Sequence, residues 1–117
     1  MRIGAAQIPV TTDVKDNLKN ILEACDWAVT NNLDFLLTPE CALSGYDTMS
    51  WNLNTCGPTE EAMEKLKEYS KKTGLGIAVG TLWIHDKDKK VDGNFNNGVH
   101  RNQLTFIQEG EVIGYVG

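Results

Sequence analysis

The sequence predicts an α/β fold in which short buried strands alternate with amphipathic helices. Several apolar runs contain too few residues for a helix and are bounded by turn residues, which is typical of buried strands. Between these runs, apolar residues recur at helical spacing while polar residues fill the opposite face. Strand, helix and strand follow one another with tight connections, and this order favours a βαβ unit with parallel strands.

The first βαβ unit is predicted in the first third of the chain. Its first strand covers Arg2–Val10, a mostly small and apolar run closed by a proline and two threonines. Thr12 or Asp13 is the predicted N-cap of the helix that follows. An Asn-Asn pair ends this helix, and the next strand begins at once. The predicted buried face of the helix consists of Val14, Leu18, Ile21, Leu22, Cys25, Ala28 and Val29.

A single carboxylate, Glu40, stands at the end of the second predicted strand. Pro39 precedes it and has no N–H for the strand ladder, so the chain is expected to turn outward there. An acid at the carboxyl end of a central strand lies where open α/β folds place functional groups. Its partly apolar sequence setting favours a base role. Two plainer interpretations stay open: a solvated residue at a strand end, or a salt-bridge partner.

A long loop and a second helix are predicted next. Ser44–Pro58 contains turn residues without a period, and a long loop inside a compact domain is usually functional. The helix is expected to start at Pro58 with Thr59 as its cap, and Gly74 suits the position just after its end.

Three further strands are predicted in the remainder of the chain. Leu75–Ile84 reads as a buried strand, and a charged loop is expected at 85–94. The last two strands, 104–107 and 112–116, flank Glu109-Gly110, which predicts a tight hairpin.

Composition excludes several classes of partner. The chain has 117 residues and a net charge of −5, and no cluster of Lys and Arg supplies a footprint for nucleic-acid phosphates. No apolar stretch approaches the ~20 residues of a membrane span. The three cysteines are an odd number without paired spacing, so we expect reduced thiols in a cytoplasmic protein.

No complete catalytic set or cofactor site is predicted from the residues alone. Cys41 follows Glu40 directly, and neighbours on extended chain point to opposite faces, so they are not expected to act as nucleophile and base. Cys25 lies on the buried helix face, which leaves Cys56 as the one thiol that could lie near Glu40. The glycines at 74–80 have the wrong spacing for a dinucleotide loop, and the acidic stretch 86–93 and the two histidines lack metal-ligand spacing.

The order of motifs resembles the opening of the nitrilase superfamily of carbon–nitrogen hydrolases. That family opens with a strand ending in Ala-x-Gln, similar to Ala5-Ala6-Gln7, and follows its first helix with a strand end similar to Pro39-Glu40 and a Gly-Tyr similar to Gly45-Tyr46. Further on, Phe95-Asn96-Asn97-Gly98-Val99 is similar to its Tyr-Asn-Ser/Thr-Ala strand, and residues 109–115 are similar to its Asp-Gly hairpin. The resemblance covers the whole chain in order.

The resemblance implies a fold, a reaction and a role for Glu40. The fold would be the N-terminal half of an α-β-β-α sandwich. Glu40 would be the general base of a Glu-Lys-Cys triad that hydrolyses small-molecule amides or nitriles through a thioester, without a metal or organic cofactor. The resemblance further implies a homo-oligomer.

The family's lysine and cysteine have no counterpart in this chain. In the family the lysine follows shortly after the hairpin and the cysteine comes on a later strand, so residues 1–117 are expected to form part of a carbon–nitrogen hydrolase domain and to be inactive alone. One alternative is a non-catalytic interaction module derived from the same fold. Another is an unrelated flavodoxin-like binding domain, although residues 9–12 contain no glycine for a phosphate loop.

Overall fold

The computed structural model of the chain describes residues 1–46, 55–85 and 99–117. In these ranges two helices and five strands alternate in the predicted manner, which confirms the α/β fold class. In chain order they are β1 (Ile3–Ala5), α1 (Val14–Thr30), β2 (Phe35–Leu37), α2 (Gly57–Thr73), β3 (Gly76–His85), β4 (Val99–Gln108) and β5 (Glu111–Val116).

The five strands form one sheet in the order β1-β2-β3-β4-β5. The first three strands run parallel to one another, and β4 and β5 continue the sheet antiparallel. The predicted βαβ unit is therefore present as β1-α1-β2. β2 ends at Leu37, which is paired with Ala78 near the start of β3, so β3 continues well beyond the carboxyl end of β2.

The helix ends are confirmed at three of the four predicted positions. Asp13 caps α1, and its side chain accepts hydrogen bonds from the N–H groups of Lys15 and Asp16. α1 ends before the Asn-Asn pair, and α2 ends at Gly74. Gly74 has a left-handed φ of 79°, which glycine adopts easily because it has no Cβ. The expected cap Thr59 is wrong. α2 already begins at Gly57, because Pro58 has no N–H to satisfy and fits the first helical turn.

Strand lengths differ from the prediction because pairing decides them. β1 covers only Ile3–Ala5 instead of Arg2–Val10, since its partner β2 has just three residues. β4 begins at Val99, five residues earlier than expected, because it pairs with β3 as far as His85. The hairpin at 109–110 is confirmed, and both of its turn residues have positive φ, as a two-residue type I′ connection requires.

The main core lies between one face of the sheet and the two helices. Successive strand residues alternate between faces, so Leu36, Ile77 and Ile107, which share a register position, all face the helices. This helix-facing core contains Ile21, Cys25 and Ala28 from α1, Ala62, Met63 and Leu66 from α2, and Leu36, Ile77, Val79 and Ile107 from the sheet.

The opposite face of the sheet also carries apolar side chains. Phe35 and Phe106 meet there with their ring centroids 6.4 Å apart. Leu37 and Val116 share this face and are 36% and 57% exposed. We call this surface, formed by Ile3, Ala5, Phe35, Leu37, Leu104, Phe106 and Val116, the open face.

Two predicted segments fall outside the described residues in whole or in part. These are the loop after Ser44, of which residues 47–54 are not described, and the charged loop with the Tyr-Asn-like motif, which covers 86–98. In the described ranges, neither helix combines the length and apolarity needed to cross a bilayer.

Candidate active site

The chain that follows β2 runs beside β3 and is held there by two hydroxyl groups. Thr38 is buried, and its Oγ1 donates to the carbonyl of Ala78 at 2.9 Å and accepts from the N–H of Gly80 at 2.9 Å. Further along, the buried Ser44 Oγ accepts from the N–H of Leu82 at 2.8 Å. In these bonds, side-chain oxygens satisfy N–H groups of β3 that a neighbouring strand would otherwise pair with. The backbone between Thr38 and Ser44 therefore does not have to continue as a strand and can bulge.

The bulge passes over Gly80, where β3 has no side chain. A Cβ at Gly80 would collide with the carbonyl oxygen of Pro39 and lie 3.0 Å from the N–H nitrogen of Cys41. Gly80 alternates with Val79 and therefore faces the open face, away from the helices. Residues 39–41 consequently cross β3 on the open face, and this places Glu40 there.

Glu40 and Cys41 both contact Asn102, a residue of β4. The Nδ2 of Asn102 donates to Oε1 of Glu40 at 2.7 Å, and the Cys41 thiol donates to Oδ1 of Asn102 at 3.5 Å. The contacts are made across 62 and 61 residues of sequence, and they exist because Asn102 is paired with Leu82 in the sheet.

The neighbours of the Asn102 amide determine its orientation. An ionised carboxylate only accepts hydrogen bonds, so the NH₂ group has to face Glu40. Burial raises the pKa of the Cys41 thiol, the charge of Glu40 raises it further, and a hydrogen bond with Ser44 offsets part of this. The thiol therefore stays protonated at neutral pH and is available as a donor to the amide oxygen.

The geometric reason for setting Cys41 aside as a nucleophile is wrong. Residues 40–41 are not extended, because Cys41 adopts a left-handed φ of 53° in a turn. Both side chains consequently reach the same partner instead of opposite faces. Cys41 is still a poor nucleophile, because it is 1% exposed and its pKa is raised.

A shallow pocket lies beside the Glu40 carboxylate. Its volume is about 310 Å³, and its lining consists of Thr38, Glu40, Gly80, Asn102, Gln103 and Leu104. Glu40 is exposed to this pocket, whereas Cys41, Ala42 and Leu43 after it are buried. The carboxylate is thus not enclosed in the apolar setting that its sequence neighbours suggested; the backbone turn separates it from them.

A buried asparagine of α1 ties the turn to the rest of the fold. The Asn17 side chain is fully buried, and its Nδ2 donates to the carbonyl of Leu43 at 3.0 Å and to that of Thr11 at 2.8 Å, while its Oδ1 accepts from the Thr11 N–H at 2.8 Å. Gly45, with φ 78°, fits closely against the same Thr11 carbonyl. The segment that carries Glu40 is therefore fixed on both sides, by β3 and by α1.

The other cysteines do not meet Glu40 in the contacts of the described residues. Cys25 is buried in the helix-facing core, where burial, with a smaller effect of Asp26, raises the pKa of its thiol to about 12. Cys56 caps α2, and its thiol donates to Glu60 Oε1 at 3.3 Å. Cys56 packs with Cys41, Leu82 and Ile84, which makes it a packing residue in this arrangement.

The sequence indicated one of the site residues and missed the others. Of the described site, the sequence indicated Glu40 and did not indicate Thr38, Ser44, Gly80 or Asn102. Gly80 offered a signal, because a glycine inside an apolar strand often marks a close backbone approach. Asn102 offered none, because its role depends on which strand lies beside which. In the described residues no three His, Cys, Asp or Glu side chains form a metal-binding group.

Comparison with a family model identifies the chain. The model for carbon-nitrogen hydrolases matches residues 2–116. The chain belongs to the carbon–nitrogen hydrolase family. No curated protein matches it significantly.

Solved structures share its fold over part of their length. An amidase from Nesterenkonia sp. superposes with a TM-score of 0.74 at 18% identity, over 98% of this chain and 41% of that one. A glutamine-dependent NAD(+) synthetase from Cytophaga hutchinsonii gives 0.69 at 26% identity, over 98% of this chain and 18% of that one. The hydrolase chain described here thus spans about two-fifths of the amidase and under a fifth of the synthetase. These likenesses confirm that it has the fold of the first part of a nitrilase-type sandwich.

Proposed function

We propose that this carbon–nitrogen hydrolase chain is the N-terminal part of an amidase- or nitrilase-type enzyme, with Glu40 as its general base. The observation that carries the proposal is the Glu40 carboxylate, exposed to a pocket at the carboxyl end of β2 and fixed there through Asn102. The family match and the amidase neighbours support the reaction class. Small-molecule amides or nitriles are the proposed substrates.

The proposed chemistry needs a thiol and a lysine besides the carboxylate. Glu40 would take the proton of the thiol, and the thiolate would attack the substrate carbon to form a covalent adduct. The lysine ammonium would stabilise the negative charge that develops on the substrate heteroatom. With an amide, the protonated Glu40 gives this proton to the leaving nitrogen, so ammonia or an amine departs and a thioester remains; with a nitrile, the adduct is a thioimidate, which water converts to the thioester with release of ammonia. Water that gives a proton to the regenerated Glu40 carboxylate then hydrolyses the thioester to the acid, and the proton returns to the thiolate. The resemblance puts both missing groups after residue 117.

Glu40 can serve this chemistry because its two oxygens have separate tasks. Oε1 accepts the hydrogen bond from Asn102, so the carboxylate is oriented without occupying Oε2. Oε2 is the oxygen that would receive the proton. A base held by one oxygen and reactive at the other keeps its geometry through the reaction, which is the basis of positional catalysis.

The test is an assay of the longer protein that this proposal predicts, with amides and nitriles as substrates. Glu40→Gln keeps the shape and removes the base, so we expect hydrolysis to fall by at least about 100-fold. Glu64→Gln is the matched control, because Glu64 is an exposed carboxylate on α2 that pairs only with Lys67 in the described contacts. The control is expected to keep full activity.

The 117-residue polypeptide alone is the second arm of this test. We expect it to hydrolyse neither amides nor nitriles, because the thiol beside Glu40, that of Cys41, is 1% exposed and its pKa is raised by burial and by the Glu40 charge. Turnover by this polypeptide that Glu40→Gln abolishes would contradict the proposed need for later residues. Full activity of the longer Glu40→Gln variant would contradict the proposed base.

The open face favours a second candidate function, a non-catalytic module that binds a partner. Its exposed apolar residues, such as Ile3 and Val116, are the kind of surface that proteins use for assembly. In that case Glu40→Gln would leave partner binding unchanged, whereas substitutions on the open face would abolish it.

The proposal also includes a homo-oligomer, to be checked by light scattering of the longer protein. A cytoplasmic location is proposed as well, and the three free cysteines support it.

A further inference from the structure

We propose that Asn102 is a positioning residue that holds the Glu40 carboxylate correctly oriented for proton transfer. This inference rests on the proposed function of Glu40. It assigns a role to a residue of β4 that lies outside every motif of the resemblance. The decisive contact is the 2.7 Å bond from Asn102 Nδ2 to Glu40 Oε1.

Asn102 donates to the Glu40 carboxylate through a neutral amide N–H at 2.7 Å. A base must be in its ionised form to accept a proton, and an ionised carboxylate accepts hydrogen bonds. The bond from Asn102 is therefore compatible with the form of Glu40 that acts as the base.

Asn102 itself is held in place by the sheet. It belongs to β4, and its partner in the register is the buried Leu82 of β3. Its amide oxygen accepts from the Cys41 thiol at 3.5 Å, and the NH₂ group is thereby directed at Glu40. A site built on a rigid strand holds its geometry better than one built on a loop.

Without this contact the Glu40 side chain would be flexible. Glu40 lies on a turn and is exposed, and its side chain has three rotatable bonds. A side chain of this kind samples many rotamers unless a partner selects one. Asn102 selects one, and this is why its removal is expected to affect catalysis more than folding.

The experiment compares two substitutions of Asn102 in the longer protein. Asn102→Leu removes both polar groups at similar size, and Asn102→Asp keeps the shape but replaces the donor with a carboxyl group. We expect Asn102→Leu to lower kcat by about 10- to 100-fold, the factor that corresponds to a lost hydrogen bond to a charged group. KM should stay nearly unchanged, because the bond positions the base and does not bind substrate.

The pH profile separates positioning from a purely structural role. In the Asp variant two carboxyl groups lie within hydrogen-bond distance, so activity should be lowest at pH 8 and recover toward pH 6, where the pair shares a proton. A residue that only fills space would leave the Asp variant close to wild type at every pH.

A matched control and a folding check complete the design. Asn20→Leu makes the same substitution at an asparagine of α1 whose only described bond, to Pro9, is long at 3.5 Å, and it is expected to change neither kcat nor the pH profile. Thermal unfolding shows whether each variant is folded. If Asn102→Leu does not fold, the isosteric Asp variant carries the test alone.

The outcomes distinguish this inference from the proposed function. Loss of activity in Glu40→Gln, together with the kcat loss in Asn102→Leu and the pH-dependent loss in Asn102→Asp, supports both. Loss in Glu40→Gln with unchanged kinetics in both Asn102 variants overturns the positioning role and leaves Glu40 as the base. Unchanged activity in Glu40→Gln overturns both.

Discussion

At the scale of single residues, Cys41 shapes the site through its backbone and its thiol. Its left-handed φ of 53° is uncommon for a residue with a Cβ and costs about 1–2 kcal/mol. This conformation turns the chain sharply enough for the side chains of Glu40 and Cys41 to contact the same amide, that of Asn102. The sequence analysis assumed an extended chain at residues 40–41, in which the two side chains would point to opposite faces.

Substitution of Cys41 tests whether its thiol orients the Asn102 amide. Cys41→Ala removes the donor, and activity of the longer protein should fall by about two- to fivefold, because S–H is a weak donor and a neutral hydrogen bond contributes little. Cys41→Ser keeps a donor and should remain near wild type. Steady-state kinetics of both variants provide the measurement. Equal losses in the two variants would show that the thiol acts through packing alone.

At the scale of elements, the site depends on the crossing of the β2–α2 connection over β3. Thr38 and Ser44 satisfy the edge of β3 with side-chain oxygens, and Gly80 leaves room for the Pro39 carbonyl between them. Instead of continuing as a strand after β2, the chain forms a turn that is held by these two hydroxyl groups. This turn places Glu40 on the open face.

Gly80→Ala tests this crossing. The new Cβ would collide with the backbone at Pro39, which cannot rotate away as a side chain could, so we expect a destabilisation of about 1–3 kcal/mol. Activity should fall beyond the change in stability, because the displaced turn carries Glu40. Urea unfolding and kinetics of the longer protein measure the two effects.

Gly57→Ala is the control for the crossing, since Gly57 is exposed at the start of α2 and a Cβ there would meet no atom within 4 Å. It is expected to leave both stability and activity unchanged. If Gly80→Ala behaves in the same way as this control, the close approach at Pro39 does not position Glu40.

Local signals predicted the elements well, and long-range pairing explains the differences. Asp13, Gly74 and the turn at 109–110 were predicted because capping and turn geometry depend on a few neighbouring residues. The ends of β1 and β4 were wrong because a partner strand sets them. Glu40 was found as a strand-end acid, whereas Asn102 could be found only once β4 was known to lie beside β3.

At the scale of the whole molecule, the two faces of the sheet are covered differently. Helices α1 and α2 bury one face, and the open face retains exposed apolar side chains in the described part of the chain. Leu36 and Leu37 are consecutive residues that illustrate the difference, since Leu36 is 1% exposed and Leu37 is 36% exposed. Apolar residues on an uncovered sheet face favour a second layer.

The proposal of a longer hydrolase predicts what this second layer is and how to detect it. In an α-β-β-α sandwich, a second sheet formed by later residues would cover the open face. Leu37→Lys should then destabilise the longer protein by at least about 2 kcal/mol, because it loses apolar burial and buries a charge. In the 117-residue polypeptide, the same substitution should leave stability nearly unchanged and reduce self-association.

Val29→Lys is the control for the second layer, because Val29 is 39% exposed, similar to Leu37, but lies on α1 instead of the open face. It should be tolerated in both proteins. Urea unfolding and light scattering of each variant give the comparison. A Leu37→Lys variant of the longer protein as stable as its Val29→Lys counterpart would show that no second sheet covers the open face, and Glu40 would then lie on an outer surface of the molecule instead of between two sheets.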